Sequence, residues 1–215
     1  MKRLRILVTA GPTREWLDPI RYISNRSSGK MGYALARAAA KLGPVILISG
    51  PTALKPPAGI EFVPVTTAAE MAQAVFRRYA KIDVVIMTAA VCDFRPRRVA
   101  AQKIKKMTLA GKLTLEFEAT TDILATLGAR KRKQFLVGFA AETNDHDRHA
   151  LDKLRRKNLD LIVANDASAF ESDRNRVTLF YRDGRREELP ETTKARVARA
   201  IVARLRPPRT FNAVD

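Results

Sequence analysis

The segment "LRILVTA" (Leu4–Ala10) is an unbroken apolar run closed by Gly11-Pro12. Such a run, ending at a turn pair, predicts a strand buried on both faces. A long loop follows from Gly11 to Ser28. From Gly29 the apolar positions change to helical spacing, with Met31, Leu35, Ala38 and Leu42 on one face until Gly43-Pro44 stops the helix. "VILIS" (Val45–Ser49) is then a second buried strand. A strand, a helix and a strand joined this way call for a parallel sheet with right-handed crossovers.

The same rhythm continues along the chain. After the Pro-rich "PTALKPPAG", "EFVPV" (Glu61–Val65) reads as a short strand whose Pro64 assigns it to an edge or a strand end. Thr67–Lys81 carries helical periodicity at Met71, Val75 and Tyr79, and "DVVIMTAA" (Asp83–Ala90) is another buried strand. "QFLVGFAA", a helix around Asp145–Lys157 and "DLIVAND" come next, then a hairpin in "RVTLFYRDGRREEL" and a helix through Val197 and Leu205. The fold class is therefore α/β: a doubly wound, mostly parallel Rossmann-like sheet. Ligands of such sheets bind beyond the carboxyl ends of the strands. Here polar residues and glycines gather at those ends, in Gly11–Arg14, Ala89–Phe94, Gly138–Thr143 and Asn165-Asp166.

Two segments break the rhythm. "KMTLAGKLTLEFEAT" (Lys106–Thr120) alternates at Leu113, Leu115 and Phe117, with Ala110-Gly111 able to turn a hairpin, and Asn175–Leu189 is also strand-like. They predict a small β arm outside the main sheet, about 95–119 and 167–189, packing on a second copy of the chain or on its own domain. Residues 1–206 then form a single domain, and 207–215 a flexible tail.

Composition narrows the function classes. The 215 residues are 46% hydrophobic, enough for a sizeable core. No apolar run approaches the ~20 residues of a membrane span. The basic start of "MKRLRILVTAGPT" precedes an apolar run of about five residues, too short for a signal peptide. A lone Cys92 rules out an internal disulfide framework and fits a reducing, cytoplasmic setting. The net charge of +18 is dispersed through "RLR", "RPRR", "KIKK", "ARKRK", "KLRRK" and "RPPR", without an aromatic-interleaved basic tract. A solvated basic surface with phosphate ligands is favoured over nucleic-acid binding.

"SNRSSGKMG" (Ser24–Gly32) looks like a P-loop but fails it twice, since Ser24 and Met31 stand where the pattern needs glycine and serine or threonine. The parts of an anion site remain: Ser27, Ser28 and Gly29 lead into a helix N-terminus, which attracts phosphate. The plainer alternative is that Ser28 only caps the helix. In "AAVCDFRP" (Ala89–Pro96), Asp93 follows a buried strand and suits a ribose or a metal, or merely a turn. Lys103, Lys105 and Lys106 of "KIKK", and the pair Lys153 and Lys157 one helical turn apart, suit a polyphosphate or a solvated face. His146 and His149 belong to no ligand array, and Cys92 reads as a packing residue.

Taken in order, "TAGPTRE", "DPIRYISNRSSGKMG", "AAVCDFRP", "KIKK", "TTDIL", "GFAAET" and "KLRRKNLDLIVAND" resemble the phosphopantothenate–cysteine ligase family of coenzyme A biosynthesis, over about Val8 to Asp166. The resemblance implies ligation of 4'-phosphopantothenate to cysteine through an acyl-nucleotidylate formed from CTP with Mg2+. It implies catalytic roles for Asn25 and Lys103. Phosphopantothenate would meet Arg21, Asn25, Ser27, Ser28, Gly29 and Ala90. The nucleotide would meet Ala89, Asp93, Lys103, Thr121, Asp122, Ile123, Leu124, Phe139, Lys153 and Lys157. Mg2+ would be held mainly by the triphosphate, with Asp93 as a possible ligand. It further implies a homodimer formed through the strand-rich arm. In many bacteria this domain follows a flavin-dependent decarboxylase on one polypeptide. The chain is then expected to be a free-standing ligase or an excised domain, without flavin of its own and with a separate decarboxylase as a possible partner. Two departures stand out: Cys92 where alanine is common and Thr121 where proline is common. The competing class is a non-enzymatic nucleotide- or nucleic-acid-binding Rossmann-like module. An NAD(P) oxidoreductase is disfavoured by the missing glycine fingerprint.

Overall fold

The computed structural model describes residues 3–105, 112–142, 146–166 and 173–205. β1 (Ile6–Ala10) runs into a loop that carries a small hairpin, β2 (Arg14–Trp16) and β3 (Tyr22–Ser24), before α1 (Lys30–Ala39). β4 (Val45–Ser49), β5 (Glu61–Pro64), α2 (Ala68–Tyr79) and β6 (Val84–Met87) follow. A two-stranded ribbon, β7 (Phe94–Pro96) with β8 (Phe117–Ala119), precedes α3 (Ile123–Ala129), β9 (Phe135–Glu142), α4 (His146–Arg156) and β10 (Leu161–Asp166). β11 (Arg174–Tyr181), β12 (Arg186–Thr193) and α5 (Lys194–Val202) close the described chain.

Eight strands make one sheet in the order β12-β11-β10-β9-β6-β1-β4-β5. Its six strands from β10 to β5 are parallel; β11 and β12 add an antiparallel edge. β1 and β6 are buried along their whole length, as expected of strands covered on both faces. On one face, Ile6, Val8, Val137, Val163 and Leu179 pack against Tyr33 and Leu35 of α1 and Val197 and Ile201 of α5. On the other, Leu7, Val85, Leu136 and Ile162 pack against α2, α3 and α4 through Met71, Val75, Leu127 and Leu154. α2 starts at a reciprocal cap, in which Thr67 accepts from the Glu70 N–H and Glu70 from the Thr67 N–H.

Three expectations change. The segment 174–189 lies in the main sheet as β11 and the first half of β12, not in an arm, because Val177 and Leu179 face α1 and α5 and need that cover. In "KLTLEFE" the strand is limited to Phe117–Ala119, paired with Phe94–Pro96; Leu113 and Phe117 are exposed and Leu115 is half-buried, so among the described residues the alternating face is only partly covered. The short helix α3 and the hairpin β2–β3 had no periodic signal of their own. The Ala110-Gly111 turn and the tail 207–215 lie outside the described residues. Pro64 does end an edge strand, as its missing N–H requires.

α1 approaches the sheet closely at Gly32. A Cβ there would lie 2.5 Å from the Ala10 Cβ and 2.6 Å from the Thr88 Oγ1. Gly32→Ala is therefore expected to cost about 1–3 kcal/mol of stability, read as a lower urea midpoint at unchanged slope. A wild-type midpoint would mean that α1 moves out freely and that the close approach has no energetic weight.

Candidate functional site

The order of strands reverses between β1 and β6: from β1 the chain goes on to β4 and β5, from β6 to β9 and β10 on the opposite side. At this switch point the loops after the two strands diverge and leave a crevice. The exits are tied together, with the Ala90 N–H donating to the Gly11 carbonyl at 2.9 Å and the Thr13 N–H to the Ala90 carbonyl at 3.2 Å. The Thr13 Oγ1 accepts from the Cys92 N–H at 2.9 Å. Cys92 is buried and its thiol contacts the Thr13 carbonyl; burial pushes its pKa up, which leaves it protonated and inert.

Beside these exits lies a cavity of about 370 Å³. One wall is the start of α1, Ser27 to Gly32. The N-cap is Gly29, in a left-handed conformation at φ 73°, and no side chain caps the helix. The capping role considered for Ser28 thus falls to a residue that has no side chain to offer. Ser27 Oγ instead accepts from the Gly29 N–H at 3.3 Å. A helix start of this kind presents backbone N–H groups and the positive end of the helix dipole to the cavity, an arrangement that favours anions.

The facing wall holds Ala89, Ala90, Asp93, Thr121, Asp122, Ile123, Leu124, Phe139, Lys153 and Lys157 together. Asp122 caps α3 by accepting from the Ala125 N–H at 2.9 Å and pairs with Lys157 at 2.7 Å. Burial would raise its pKa, but Lys157 and the Ala125 N–H outweigh that and hold the carboxyl below its ordinary value. Lys153 Nζ donates to the Phe139 carbonyl at 3.0 Å. The loop bearing Thr121 is thus fixed from two sides, by the cap and by α4.

Three expected site residues stand off the cavity wall. Asn25 Nδ2 donates to the Ala90 and Val91 carbonyls, at 3.2 and 3.0 Å, and so lies against the β6 exit. Arg21 is committed elsewhere: it pairs with Asp18 at 2.9 Å and donates to the Ile104 carbonyl. Lys103 is exposed on the segment this pairing holds. Asp18, which sequence reasoning passed over, is the anchor of that arrangement. It is fully buried and accepts from the N–H groups of Ile20 and Arg21, both at 2.8 Å, and of Ile104 at 3.1 Å. Asn165, expected at a strand end, lines the cavity too, and so do Lys30, Asn175 and Lys194, which were assigned no role. Lys194 opens α5 and Asn175 is the second residue of β11, and only the fold brings the two to the same cavity.

A mostly parallel sheet with a cavity at its topological switch point defines a Rossmann-like domain. Residues 1–207 match the family described as the DNA/pantothenate metabolism flavoprotein C-terminal domain, and the chain belongs to that family. It is 53% identical over 203 residues to the coenzyme A biosynthesis bifunctional protein CoaBC of Bacillus subtilis (strain 168), covering 92% of this chain and 50% of that protein. The CoaBC of Escherichia coli (strain K12) is 49% identical over 191 residues, covering 86% and 47%. The chain thus spans about half the length of these relatives. The crystal structure of the C-terminal domain of a CoaBC superposes with a TM-score of 0.82 at 49% identity, covering 94% of both chains. The resemblance read from the ordered motifs holds at this level, and so does the doubly wound sheet.

Asp18 also gives the site an acid-sensitive joint. Removal from water raises its pKa, yet the three N–H donors and Arg21 more than offset this, so the folded pKa lies below the ordinary 3.8. Its stabilising contribution is then complete above that value and is lost as pH falls through the depressed one. Asp18→Asn is expected to lower the melting temperature at neutral pH, with the gap to wild type closing under acid. A gap of constant width across the titration would rule out the carboxylate as its source.

Proposed function

We propose that this domain joins 4'-phosphopantothenate to L-cysteine through an acyl-cytidylate, as a CTP-dependent phosphopantothenate–cysteine ligase. The observation that carries the reading is the shared cavity. It brings the α1 start, the Ala89–Asp93 turn, Thr121–Leu124, Phe139, Lys153 and Lys157 around one space. These motifs are far apart in sequence, and family membership gives the reading its chemical frame.

The carboxylate of phosphopantothenate attacks the α-phosphorus of CTP; an acyl–oxygen–phosphorus link forms as the bond to the pyrophosphate bridging oxygen breaks. The amine of cysteine then adds to the acyl carbon. CMP leaves with the bonding pair, the amide forms, and the amine proton passes to solvent. No protein nucleophile is needed, so the residues work by orientation and charge stabilisation. Ser27, Ser28, Gly29, Ala90 and Arg21 are assigned to phosphopantothenate. Asn25 is assigned to its reacting carboxyl; to donate there, the amide exchanges one of its two carbonyl partners for the substrate. Phe139 is assigned to the base, with Ala89, Thr121, Asp122, Ile123 and Leu124 lining the nucleotide. Lys153, Lys157 and Lys103 are assigned to the phosphates, Lys103 acting from the segment that Asp18 and Arg21 anchor.

Asp93, a carboxylate on the cavity wall, suits Mg2+, which takes one or two carboxylates and completes its shell with water and substrate phosphates. Bound there, Mg2+ would neutralise phosphate charge. Among the described residues no helix is long and apolar enough to cross a membrane, and a cytoplasmic site of action is part of the reading. A homodimer is also part of it: Ile20, Tyr22, Phe94, Val99, Leu113 and Phe117 are exposed on and around the β2–β3 and β7–β8 ribbons. A flavin-dependent decarboxylase would supply the next step.

Purified protein given phosphopantothenate, cysteine and each nucleoside triphosphate in turn is expected to release pyrophosphate with CTP in preference to ATP, and only when phosphopantothenate is present. No turnover with any nucleotide would sink the reading. Asn25→Ala should keep the wild-type melting profile and lower amide formation by about 10²-fold or more. Phe94→Ser combined with Phe117→Ser should give a monomer in analytical ultracentrifugation, and a variant that sediments like wild type refutes the assigned dimer face.

A further inference from the structure

The cavity has a second polar end, on the α1/α5 side of the sheet. Lys30, Asn165, Asn175 and Lys194 line it. Alternation along β11 turns Asn175 to the same side as Val177 and Leu179, toward the two helices, which pack along each other. Lys194 opens α5 and is only 8% exposed; Asn175 is 4% exposed. Among the described residues the Asn175 Oδ1 has no hydrogen-bond partner. A buried acceptor left unpaired costs about 1–3 kcal/mol, and here it opens on a cavity from which a ligand can supply the donor. Burial and the nearby Lys30 both depress the Lys194 pKa, with Asp173 opposing them. Asp173 is bound to both lysine residues, by the Lys30 ammonium at 2.6 Å and by the Lys194 backbone N–H at 3.0 Å. Two ammonium groups and a helix start without a side-chain cap leave a concentration of positive charge beside one orphaned acceptor.

We propose that Lys194 and Asn175 complete a phosphoryl-binding subsite at the α1 N-terminus. The α1 N–H groups and the Lys194 ammonium donate to phosphoryl oxygens. Asn175 Oδ1 accepts an O–H, brought either by a protonated phosphoryl oxygen or by water on a cation that accompanies the phosphate. This combination answers both features of the pocket, its positive charge and its unpaired acceptor, which a carboxylate or a bare halide does not. The phosphoryl group has two sources on the ligase reading: the terminal phosphates of the nucleotide or the 4'-phosphate of phosphopantothenate. The subsite rests on that reading only for the identity of the donor molecule.

Calorimetry with inorganic tripolyphosphate tests the subsite without reference to turnover. Lys194→Met and Asn175→Leu should each bind it at least about tenfold more weakly than wild type, and Lys194→Arg should restore part of the loss. Asn175→Leu should also raise the melting temperature of the ligand-free protein, because it removes the unpaired acceptor. Either variant binding like wild type overturns the proposal, as does a wild-type protein that does not bind tripolyphosphate. Paired ligands then identify the source. Weakening of CTP but not CMP assigns the nucleotide's terminal phosphates; weakening of phosphopantothenate but not pantothenate assigns the 4'-phosphate. Equal weakening of CMP and pantothenate indicates general damage and overturns it. Loss of tripolyphosphate binding in the variants, together with no ligase turnover in wild type, sinks the ligase reading and leaves the subsite standing.

Discussion

The arrangement depends on how the chain leaves β1. Gly11, Pro12 and Thr13 run over the carboxyl edge of the sheet between the ends of β4 and β6, and there is no room to spare. A Cβ on Gly50 would fall 1.7 Å from the Pro12 carbonyl oxygen, and Gly11 itself sits at φ 70°, a conformation that side chains resist. On the other side Pro12 bridges to Ala90. This threading fixes where the following loop can go. β2 follows at once, with the Arg14 N–H bonded to the Thr66 carbonyl at 2.8 Å, and Glu15 is buried where its carboxylate accepts from the first N–H of α2 at 2.8 Å. β3 then returns the chain so that Asn25 meets the Ala90 and Val91 carbonyls. The close packing of Gly11, Pro12 and Gly50 thus helps to set the location of Asn25, more than ten residues beyond Pro12.

Electrostatics at the cavity follow one pattern at both ends. Lys157 pairs with Asp122 on the α3/α4 side, and Lys30 pairs with Asp173 on the α1/α5 side. In a chain with 40 lysines and arginines against 22 acidic residues, a carboxylate beside each cavity lysine limits like-charge repulsion while no ligand is bound. An incoming phosphate competes with that carboxylate rather than with water alone. Binding then has the character of an exchange between anions, which favours a multiply charged group over a single carboxylate. The exposed pairs elsewhere, such as Arg174 with Glu191 and Arg156 with Asp152, carry little energy and play no part in this.

Legibility in the sequence tracks the range of the interaction concerned. Buried strands and amphipathic helices leave a local apolar pattern, so β1, β4, β6, β9, β10, α1 and α2 are readable from the order of residues alone. α3 is a short helix of seven residues held by the Asp122 cap and by packing of Ile123, Leu124 and Leu127, and so gave no such pattern. β11–β12 is legible as a hairpin, but its pairing with β10 is not, since an antiparallel edge and a separate arm have the same alternation. Ordered motifs supply most of the cavity lining, while Arg21, Asn25 and Lys103 of the same motifs stand off its wall. Asp18 was missed because its meaning lies in a contact with Ile104, 86 positions away. Asn175 and Lys194 were missed because a single asparagine and one more lysine in so basic a chain carry no local signal; only the fold shows them buried on one cavity.

The two ends of that cavity lie on opposite faces of the sheet, and this bears on the chemistry. Phe139 packs on the α1/α5 side, whereas Leu124 packs on the other. A ligand in contact with both ends must therefore cross the sheet's edge, over the exits of β6 and β9. Asn25 is tied to the β6 exit, at the crossing itself. On the proposed reading, the two reactants each carry an anionic group that repels the other, and their reacting atoms must still meet. Placing positive charge at two separated ends lets each anion be held by its own helix start or lysine pair. The reacting carboxyl and α-phosphorus then meet in between, beside a neutral amide that orients without adding charge.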